Sequence, residues 1–268
     1  MPDNDNMVMK IMKVATFNAN SIRSRVEIIN SWLAENRPQI LCVQETKVQD
    51  SEFPVEAFSG IGYHIVFRGQ KKYNGVAVFS DQPIESSVTS LPGDSIDEAR
   101  FLQISYKKIT VVNTYIPQGE SPDSEKFRYK LRWFSLLRDY FDRTFRPDEP
   151  ILWMGDFNAA FEEIDVYDPK GLWGSVCFCQ EVQKSLKEII HWGFVDLFRK
   201  FHPQGGHYTF WDYRLPNGFQ RNLGWRLDYI MATQPLVRKC TGCRIDKTPR
   251  GLDKPSDHTF VVAEFKGL

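Results

Sequence analysis

Ile151-Leu152-Trp153-Met154-Gly155-Asp156-Phe157-Asn158 is the segment around which the rest of the sequence can be organised. Four apolar residues lead directly into Gly-Asp-Phe-Asn, which predicts a buried strand that ends at a cleft. Because residues i and i+2 of an extended chain point to the same side, Asp156 and Asn158 can address one ligand together. The alternative is a turn in which Asp and Asn bond their own backbone, and this segment alone favours that alternative.

The overall composition limits the partners and the location of the protein. The 34 basic residues are balanced by 34 acidic residues, so binding to nucleic acid would need a local basic face. The sequence contains neither an apolar run of membrane-spanning length nor a signal-peptide pattern. We therefore expect a cytoplasmic, intracellular protein without membrane contact. Residues 1–10 are expected to form a flexible tail before a single domain at residues 11–268.

Five cysteines bear on the compartment and on metal binding. An odd number without a secretory signal argues against a secreted disulfide scaffold. The pairs Cys177/Cys179 and Cys240/Cys243 have spacings that resemble a zinc site only loosely. The alternatives are reduced, buried thiols or a disulfide within one pair. We expect no bound zinc.

Hydrophobic periodicity predicts alternating strands and helices along the chain. Strands are predicted at residues 11–18, 40–45, 63–67, 75–79, 101–106, 109–115, 151–154, 194–198, 226–231 and 260–265. The first helix is expected to open with a capping box of Ser24 and Glu27 and to close at Pro38. The longest helix is expected to start with Ser121 as its N-cap, and another helix spans about 179–192. Many short strands with few long helices predict an α/β fold with two mixed β-sheets packed face to face and helices outside.

The long helix carries seven basic side chains, and their default interpretation is a solvated face. This set is Lys126, Arg128, Lys130, Arg132, Arg138, Arg143 and Arg146.

Polar side chains end or follow six of the apolar segments. They are Asn18, Asn20, Glu45, Asn113, Tyr115, Asp156, Asn158, Asp228, Asp257 and His258. Carboxylates and amides are the ligands of a hard cation, which favours Mg²⁺ or Mn²⁺ over zinc. A His beside an Asp, with a second Asp that can orient the ring, suits the binding of a phosphate.

Seven short motifs follow one another in the order of a known family. They are 16–20 (TFNAN), 44–47 (QETK), 113–119 (NTYIPQG), 155–158 (GDFN), 162–165 (EEID), 222–229 (NLGWRLDY) and 256–258 (SDH). Together they resemble the exonuclease III family, the class II apurinic/apyrimidinic (AP) endonucleases. The resemblance runs from about Lys13 to the C-terminus and implies the DNase I-like four-layer α/β sandwich.

The resemblance also implies roles for individual residues. The metal, Mg²⁺ or Mn²⁺, would be bound by Glu45, with Asn20 and Asp257 close by. The catalytic residues would be Asn18, Tyr115, Asp156, Asn158, Asp228 and His258. Asp156 would either activate water or protonate the leaving group, and a coupled site leaves this choice open. Tyr115 and His258 would donate to phosphate oxygens, with Asp228 holding the imidazole.

The implied substrate is double-stranded DNA with abasic sites, bound by a monomer. Cleavage would occur 5′ to the abasic site and leave a 3′-hydroxyl, with accompanying 3′→5′ exonuclease and 3′-phosphatase activities. The implied substrate-binding residues are Asn113, Phe210, Asn222, Trp225 and Leu227. Basic loops with Lys47, Lys71, Lys72, Arg221 and Arg226 are candidates for contacts to flanking phosphates.

Two other classes of function remain open at the level of sequence. Another metal-dependent phosphodiesterase on the same fold would share Glu45, Asp156, Asn158 and His258, but it should lack the 222–228 motif. A non-catalytic DNA-binding module should have lost a catalytic position, and every such position is present in the sequence. Fold and motif do not by themselves determine the substrate.

Overall fold

The structure, a computed structural model, describes residues 11–268. The strands are β1 (Ile11–Asn18), β2 (Ile40–Gln44), β3 (His64–Arg68), β4 (Val76–Ser80), β5 (Ser87–Val88), β6 (Phe101–Tyr106), β7 (Ile109–Tyr115), β8 (Ile151–Asp156), β9 (Phe194–Asp196), β10 (Asp228–Thr233), β11 (Cys240–Asp246) and β12 (Phe260–Lys266). The α-helices are α1 (Val26–Asn36), α2 (Glu125–Thr144), α3 (Pro169–Leu172), α4 (Gln180–Ile190), α5 (Leu197–Phe201) and α6 (Gln234–Val237). The tail predicted at 1–10 lies outside the described residues.

The strands form two six-stranded mixed sheets with the same pattern of pairing. The first sheet has the order β11-β12-β1-β2-β4-β3, and the second has the order β5-β6-β7-β8-β10-β9. In each sheet the two central strands are parallel, and the other neighbours are antiparallel. Parallel neighbours need a crossover connection, which α1 supplies between β1 and β2 and α2 supplies between β7 and β8. The carboxyl ends of each central pair therefore lie at one edge of its sheet.

Alternation of side chains along the central strands builds a layered core. Val14 and Cys42 of the first sheet share an apolar cluster with Val111 and Met154 of the second sheet, which fills the space between the sheets. The opposite face of the first sheet packs against α1, and the opposite face of the second packs against α2 and α4. Because consecutive strand residues point to opposite faces, each central strand contributes to two of these clusters. The predicted four-layer α/β sandwich is confirmed.

The starts of two helices differ from the prediction. Helix α2 begins at Glu125, because the Ser124 hydroxyl, and not Ser121, accepts a hydrogen bond from the Phe127 amide. The capping box of Ser24 and Glu27 does not form: residues Ile22–Arg25 make a 3₁₀ turn, and α1 follows without a side-chain cap. For α2 the sequence offers both Ser121 and Ser124 near the start, and Ser124 is the one that caps the helix.

Several predicted strands have other bounds in the structure, and two strands were missed. The strand predicted at 194–198 stops at Asp196, because this carboxylate caps α5 by accepting from the Phe198 and Arg199 amides. The strand predicted at 226–231 begins at Asp228 and ends at Thr233. The short β5 and the edge strand β11 were not predicted, and β11 contains Cys240 and Cys243.

All five cysteines are buried and unpaired. Disulfide formation within either close pair, left open by the sequence, is not seen among the described residues. Whether zinc binds remains a prediction, and metal analysis of the purified protein would test it. No α-helix within residues 11–268 is long and apolar enough to cross a membrane.

Candidate active site

Four central strands end at one edge of the sandwich, and residues at their ends meet in a common cleft. Asn18 ends β1, Tyr115 ends β7 and Asp156 ends β8, while Glu45 directly follows β2. Asp228 begins β10, whose antiparallel register with β8 places it opposite Asp156. Parallel pairing and one antiparallel neighbour thus bring together residues that are far apart in sequence.

Asp156 is buried and held by hydrogen bonds from both sheets. Its carboxylate accepts from the Asn18 side-chain amide at 2.8 Å and from the Asn158 backbone N–H at 2.8 Å. The Asn158 side chain in turn donates to the Ile116 carbonyl at 2.9 Å, with the Asn158 backbone at a left-handed φ of 47°. Gly155 also has positive φ, and a Cβ there would collide with the Thr114 backbone. The Gly-Asp-Phe-Asn segment is therefore a tight, fixed turn that presents one carboxylate to the cleft.

The environment of Asp156 gives it a proton affinity suited to catalysis near neutral pH. Burial raises the pKa of Asp156 to about 7, with the charge of Asp228 adding to the effect and that of His258 opposing it. A carboxyl group with this pKa can take up or release a proton under physiological conditions. The sequence alone suggested the residue, but its pKa follows from burial and neighbours.

His258 is oriented by Asp228 and lies next to Asp156. The Nδ1–Oδ2 distance to Asp228 is 2.8 Å, and His258 Nε2 lies 3.8 Å from Asp156 Oδ2. Burial lowers the pKa of His258, but the charges of Asp228 and Asp156 outweigh it and raise this pKa to about 10. The imidazole is therefore cationic at neutral pH, which suits a group that binds a phosphoryl oxygen.

The three predicted metal ligands also come together. Asn20 donates from its side chain to Asp257 at 2.9 Å, and Glu45 and Asp257 line the same cleft. Lys47 Nζ lies 3.1 Å from Glu45 and also donates to the Asn20 side-chain oxygen. An ammonium held between these two oxygens shows that the position attracts positive charge. The donor set, which consists of oxygens alone, fits a hard cation such as Mg²⁺ or Mn²⁺.

A separate group of possible ligand atoms comes from Asp156, Asp228 and His258, within 4.8 Å of one another. We interpret it as a hydrogen-bonded group of side chains and not as the metal site, because Asp228 already occupies His258 Nδ1. The acidic cluster as a whole is consistent with a metal-dependent family.

An apolar wall faces these polar groups across a cleft of about 390 Å³. Phe210, Trp225 and Leu227 line it as predicted, with the Phe210 ring centroid 4.8 Å from that of His258. The backbones of Phe210 and Trp225 pair as an isolated antiparallel bridge, which fixes the wall. The remaining lining residues were not predicted as site residues. They are Gln118, which lies within the 113–119 motif, and Ser175, Val176, Cys177, Asp212 and Arg214, which belong to none of the seven motifs.

Two of the predicted substrate-binding residues do not reach the cleft. Asn113 is fully buried, and its amide donates to the Val43 and Ala77 carbonyls and accepts from Gln44. Its prediction as a substrate contact is wrong, because all of its polar atoms are used between the two sheets. Asn222 lies on a loop, where it donates to the Gly206 carbonyl, and it is not part of the cleft lining.

Arg226 also departs from its prediction as a phosphate-binding surface residue. It is fully buried, with bonds to Asp165 at 2.7 and 3.1 Å and an ion pair with Asp196 at 2.7 Å. Trp225 and Leu227, its neighbours in sequence, face the cleft, so Arg226 anchors the strand segment that carries the apolar wall.

Arg226→Met is expected to lower the free energy of unfolding by about 3–5 kcal/mol, because the buried Asp165 is left with Arg199 alone and the largely buried Asp196 loses its ion-pair partner. Chemical denaturation would measure this loss. The control is Arg221→Met, at an exposed position of the same loop, which should change stability by less than about 0.5 kcal/mol. Equal stability of both variants would contradict the assignment of Arg226 as a buried anchor.

Comparison with known proteins gives the family of this chain. The model of the Endonuclease/Exonuclease/phosphatase family matches residues 15–258, a range that contains every site residue described above. The chain belongs to this family. Within the endonuclease/exonuclease/phosphatase family its curated relatives include exodeoxyribonuclease III of Haemophilus influenzae, 32% identical over 95% of this chain and 100% of that protein. The predicted resemblance to the exonuclease III family is thereby confirmed.

Solved structures of this family agree with the fold. An AP endonuclease from Archaeoglobus fulgidus is 47% identical, with a TM-score of 0.93 over 95% of this chain and 99% of that chain. A 3′ phosphatase from Neisseria, bound to a product DNA hairpin, is 34% identical, with a TM-score of 0.91 over 96% of this chain and 100% of that chain. The relatives are thus hydrolases of nucleic-acid phosphate esters.

Proposed function

We propose that this protein is a metal-dependent DNA-repair endonuclease that hydrolyses the phosphodiester 5′ to an abasic site and leaves a 3′-hydroxyl. We include 3′→5′ exonuclease and 3′-phosphatase activities, since the same centre can act at a strand end. The observation that carries the proposal is one cleft in which Asp156 and the His258–Asp228 pair face the apolar wall of Phe210 and Trp225. The proposal is supported by two relatives of known structure, one an AP endonuclease and the other a 3′ phosphatase.

Different residues of the chain have different roles in phosphodiester hydrolysis. Asp156 exchanges a proton with the attacking water or with the leaving 3′-oxygen, while Asn18 and Asn158 fix its carboxylate. His258 donates from Nε2 to a phosphoryl oxygen, since Asp228 holds its other nitrogen. Burial raises the pKa of Tyr115 well above its usual value, so its phenol stays protonated and can donate to a second oxygen.

Glu45, Asp257 and Asn20 would hold the metal ion. A bound Mg²⁺ or Mn²⁺ supplies positive charge for the phosphoryl oxygens and the leaving group. Mg²⁺ is our preferred choice because the donors are oxygens. A monomer suffices in this proposal, because one chain contributes all of these residues. We place its action on double-stranded DNA in the cytoplasm, at the nucleoid, with residues 11–268 acting as one domain.

Selectivity for a baseless nucleotide would come from the apolar wall. A nucleotide without a base has lost its pairing and most of its stacking, so it leaves the helix at lower cost than an intact nucleotide. Its sugar can then contact Phe210, Trp225 and Leu227, which line the cleft. Trp225 is partly exposed, as a residue in contact with substrate should be.

Trp225→Ala is expected to lower kcat/KM on an abasic duplex by about 10–100-fold and to leave binding to intact duplex within about twofold. A core Trp would behave differently, since its truncation costs about 3–5 kcal/mol of stability. Kinetics and thermal unfolding of the same variant separate the two cases. The control is Trp173→Ala, a 53% exposed residue outside the cleft lining, which should not change kcat/KM in this way. Lost stability with unchanged activity per folded molecule would remove Trp225 from the site.

End-labelled duplexes with an abasic site, a uracil or no lesion, incubated with Mg²⁺ or EDTA, test the proposed function directly. We expect a cut on the 5′ side of the abasic site only with the metal, and a product end that a DNA polymerase extends. Binding without cleavage would identify a DNA-binding module. Hydrolysis of other phosphodiesters, with abasic DNA left intact, would identify another enzyme of the fold.

A further inference from the structure

Lys130, on helix α2, is a completely buried lysine behind the cleft. Its ammonium lies 2.6 Å from the Asn158 carbonyl, 2.6 Å from the Val176 carbonyl and 3.1 Å from the Gln118 carbonyl. A lysine ammonium has three N–H donors, so every donor has an acceptor. The prediction that Lys130 belongs to the solvated face of the helix is therefore wrong.

The three carbonyls belong to three different walls of the cleft. Gln118 follows β7 and Tyr115, Asn158 follows β8 and Asp156, and Val176 lies on the loop before α4. Gln118, Asn158 and Val176 all line the cleft themselves. One ammonium thus joins three loops that no strand pairing connects.

The cost of this arrangement points to more than packing. A buried ammonium without a hydrogen-bonded carboxylate is unfavourable, and burial lowers the pKa of Lys130 while the charge of Asp156 opposes the shift. A methionine of similar volume would fill the same space without burying a charge, but it would leave the three carbonyls without this donor. The positive φ of Asn158 adds local strain. Its carbonyl, N–H and side-chain amide each have a partner, and Lys130 supplies the bond to the carbonyl.

We propose that Lys130 is a positioning residue for the hydrolytic reaction. Its ammonium holds the Asn158 backbone, together with the two neighbouring walls, in the arrangement in which Asp156 and Asn158 act on the phosphate. The inference rests on the proposed function for the reaction itself. It extends the site to a residue that touches neither substrate nor metal.

The first test compares Lys130→Met with the wild type on an abasic duplex. A displacement of about 1 Å in a reacting group can cost about 100-fold in rate, so we expect kcat to fall by about 100-fold. KM should stay within about threefold, because the apolar wall and the rim are intact. Lys130→Arg, which keeps charge and donors, should recover at least about tenfold of the loss. Lys126→Met is the control, one turn away on the same helix with a 70% exposed side chain, and should match the wild type.

Hydrogen–deuterium exchange separates positioning from general stability. We expect faster exchange at 117–119, 157–160 and 174–178 in Lys130→Met, with the central strands unchanged. A wild-type kcat in Lys130→Met, or a loss of kcat matched by the loss of folded protein, would overturn the proposal. So would unchanged exchange in all three segments.

A measurement on the wild type covers the case in which Lys130→Met does not fold. A buried ammonium with three acceptors should give a ¹⁵Nζ signal that persists at neutral pH, whereas exposed lysines exchange with water too fast to be seen. Its absence would refute the arrangement. A wild type that cuts no abasic duplex would refute the proposed function, while the exchange and ¹⁵Nζ measurements, which need no substrate, would still decide the role of Lys130.

Discussion

Asp156→Asn is expected to lower kcat on an abasic duplex by about 10³–10⁴-fold while the protein remains folded. The amide has the shape of the carboxylate but can neither carry the reacting proton nor face His258 with a negative charge. It also cannot accept from both Asn18 and the Asn158 N–H, because one of its two positions is now a donor. Loss of chemistry is therefore accompanied by a loss of stability of about 1–3 kcal/mol, the cost of one unsatisfied buried donor.

Single-turnover kinetics would measure this effect, with the amount of folded protein determined by circular dichroism. Asp148→Asn is the matched control, since this exposed carboxylate precedes the opposite end of β8. It should retain wild-type kcat. Activity of Asp156→Asn within tenfold of the wild type would remove Asp156 from the proton-transfer step.

The pH dependence of wild-type kcat then assigns the role of Asp156. Its pKa, raised to about 7 by burial, predicts a change of slope in kcat near pH 7, which a bound cation would shift downward and the phosphate anion upward. A group that accepts a proton must be ionised, so kcat should rise with pH through this value. A group that donates must be protonated, so kcat should fall instead. If the residual kcat of Asp156→Asn had the same pH profile as the wild-type kcat, a group other than Asp156 would be the one that titrates.

Glu45→Ala is expected to reduce cleavage with Mg²⁺ to the level of the wild type in EDTA, a loss of about 10³-fold or more. The physical reason is that the metal contributes several kcal/mol of charge stabilisation in the transition state, and about 1.4 kcal/mol corresponds to tenfold. Glu45 is partly buried at the cleft, and removing it leaves the Lys47 ammonium beside the remaining oxygens. That ammonium should then further disfavour a cation.

Titration with Mn²⁺, followed by electron paramagnetic resonance, provides a readout that does not depend on catalysis. We expect weaker Mn²⁺ binding in Glu45→Ala and unchanged binding in Glu52→Ala, an exposed carboxylate nearby on the same loop. The melting temperature of both should stay close to that of the wild type. Full Mg²⁺-dependent activity of Glu45→Ala would be incompatible with its role as a ligand.

The part of the site that sequence could predict is the part built from strand ends. Asp156 and Tyr115 each end an apolar segment, and parallel pairing brings such ends together without knowledge of distant contacts. Burial of polar side chains was not predictable in the same way. Arg226 and Asn113 each look like surface or ligand-binding residues until their partners, Asp165 and Gln44, are known from the fold.

Lys130 is a different case, because a signal for its burial was present. It lies at i+3 from Phe127 and at i−4 from Phe134, within the apolar stripe of α2 that continues to Leu137 and Phe141. A residue on that stripe points toward the core whatever its charge. Lys130 therefore differs from the other basic residues of the segment by its position on the apolar stripe, not by its charge.

Asn113 and Gln44 hydrogen-bond across the space between the sheets, next to the strand ends that carry the reacting groups. If one sheet shifted along the other, these buried amides would lose their partners at about 1–3 kcal/mol each. The rim of the cleft at Ser175, Val176 and Cys177 and at Asp212 and Arg214 consists of loops that lie outside this amide pairing. Selection for a new modified nucleotide should therefore recover substitutions in the rim and return both amides unchanged, so that the protein can acquire new substrates without rebuilding its chemistry.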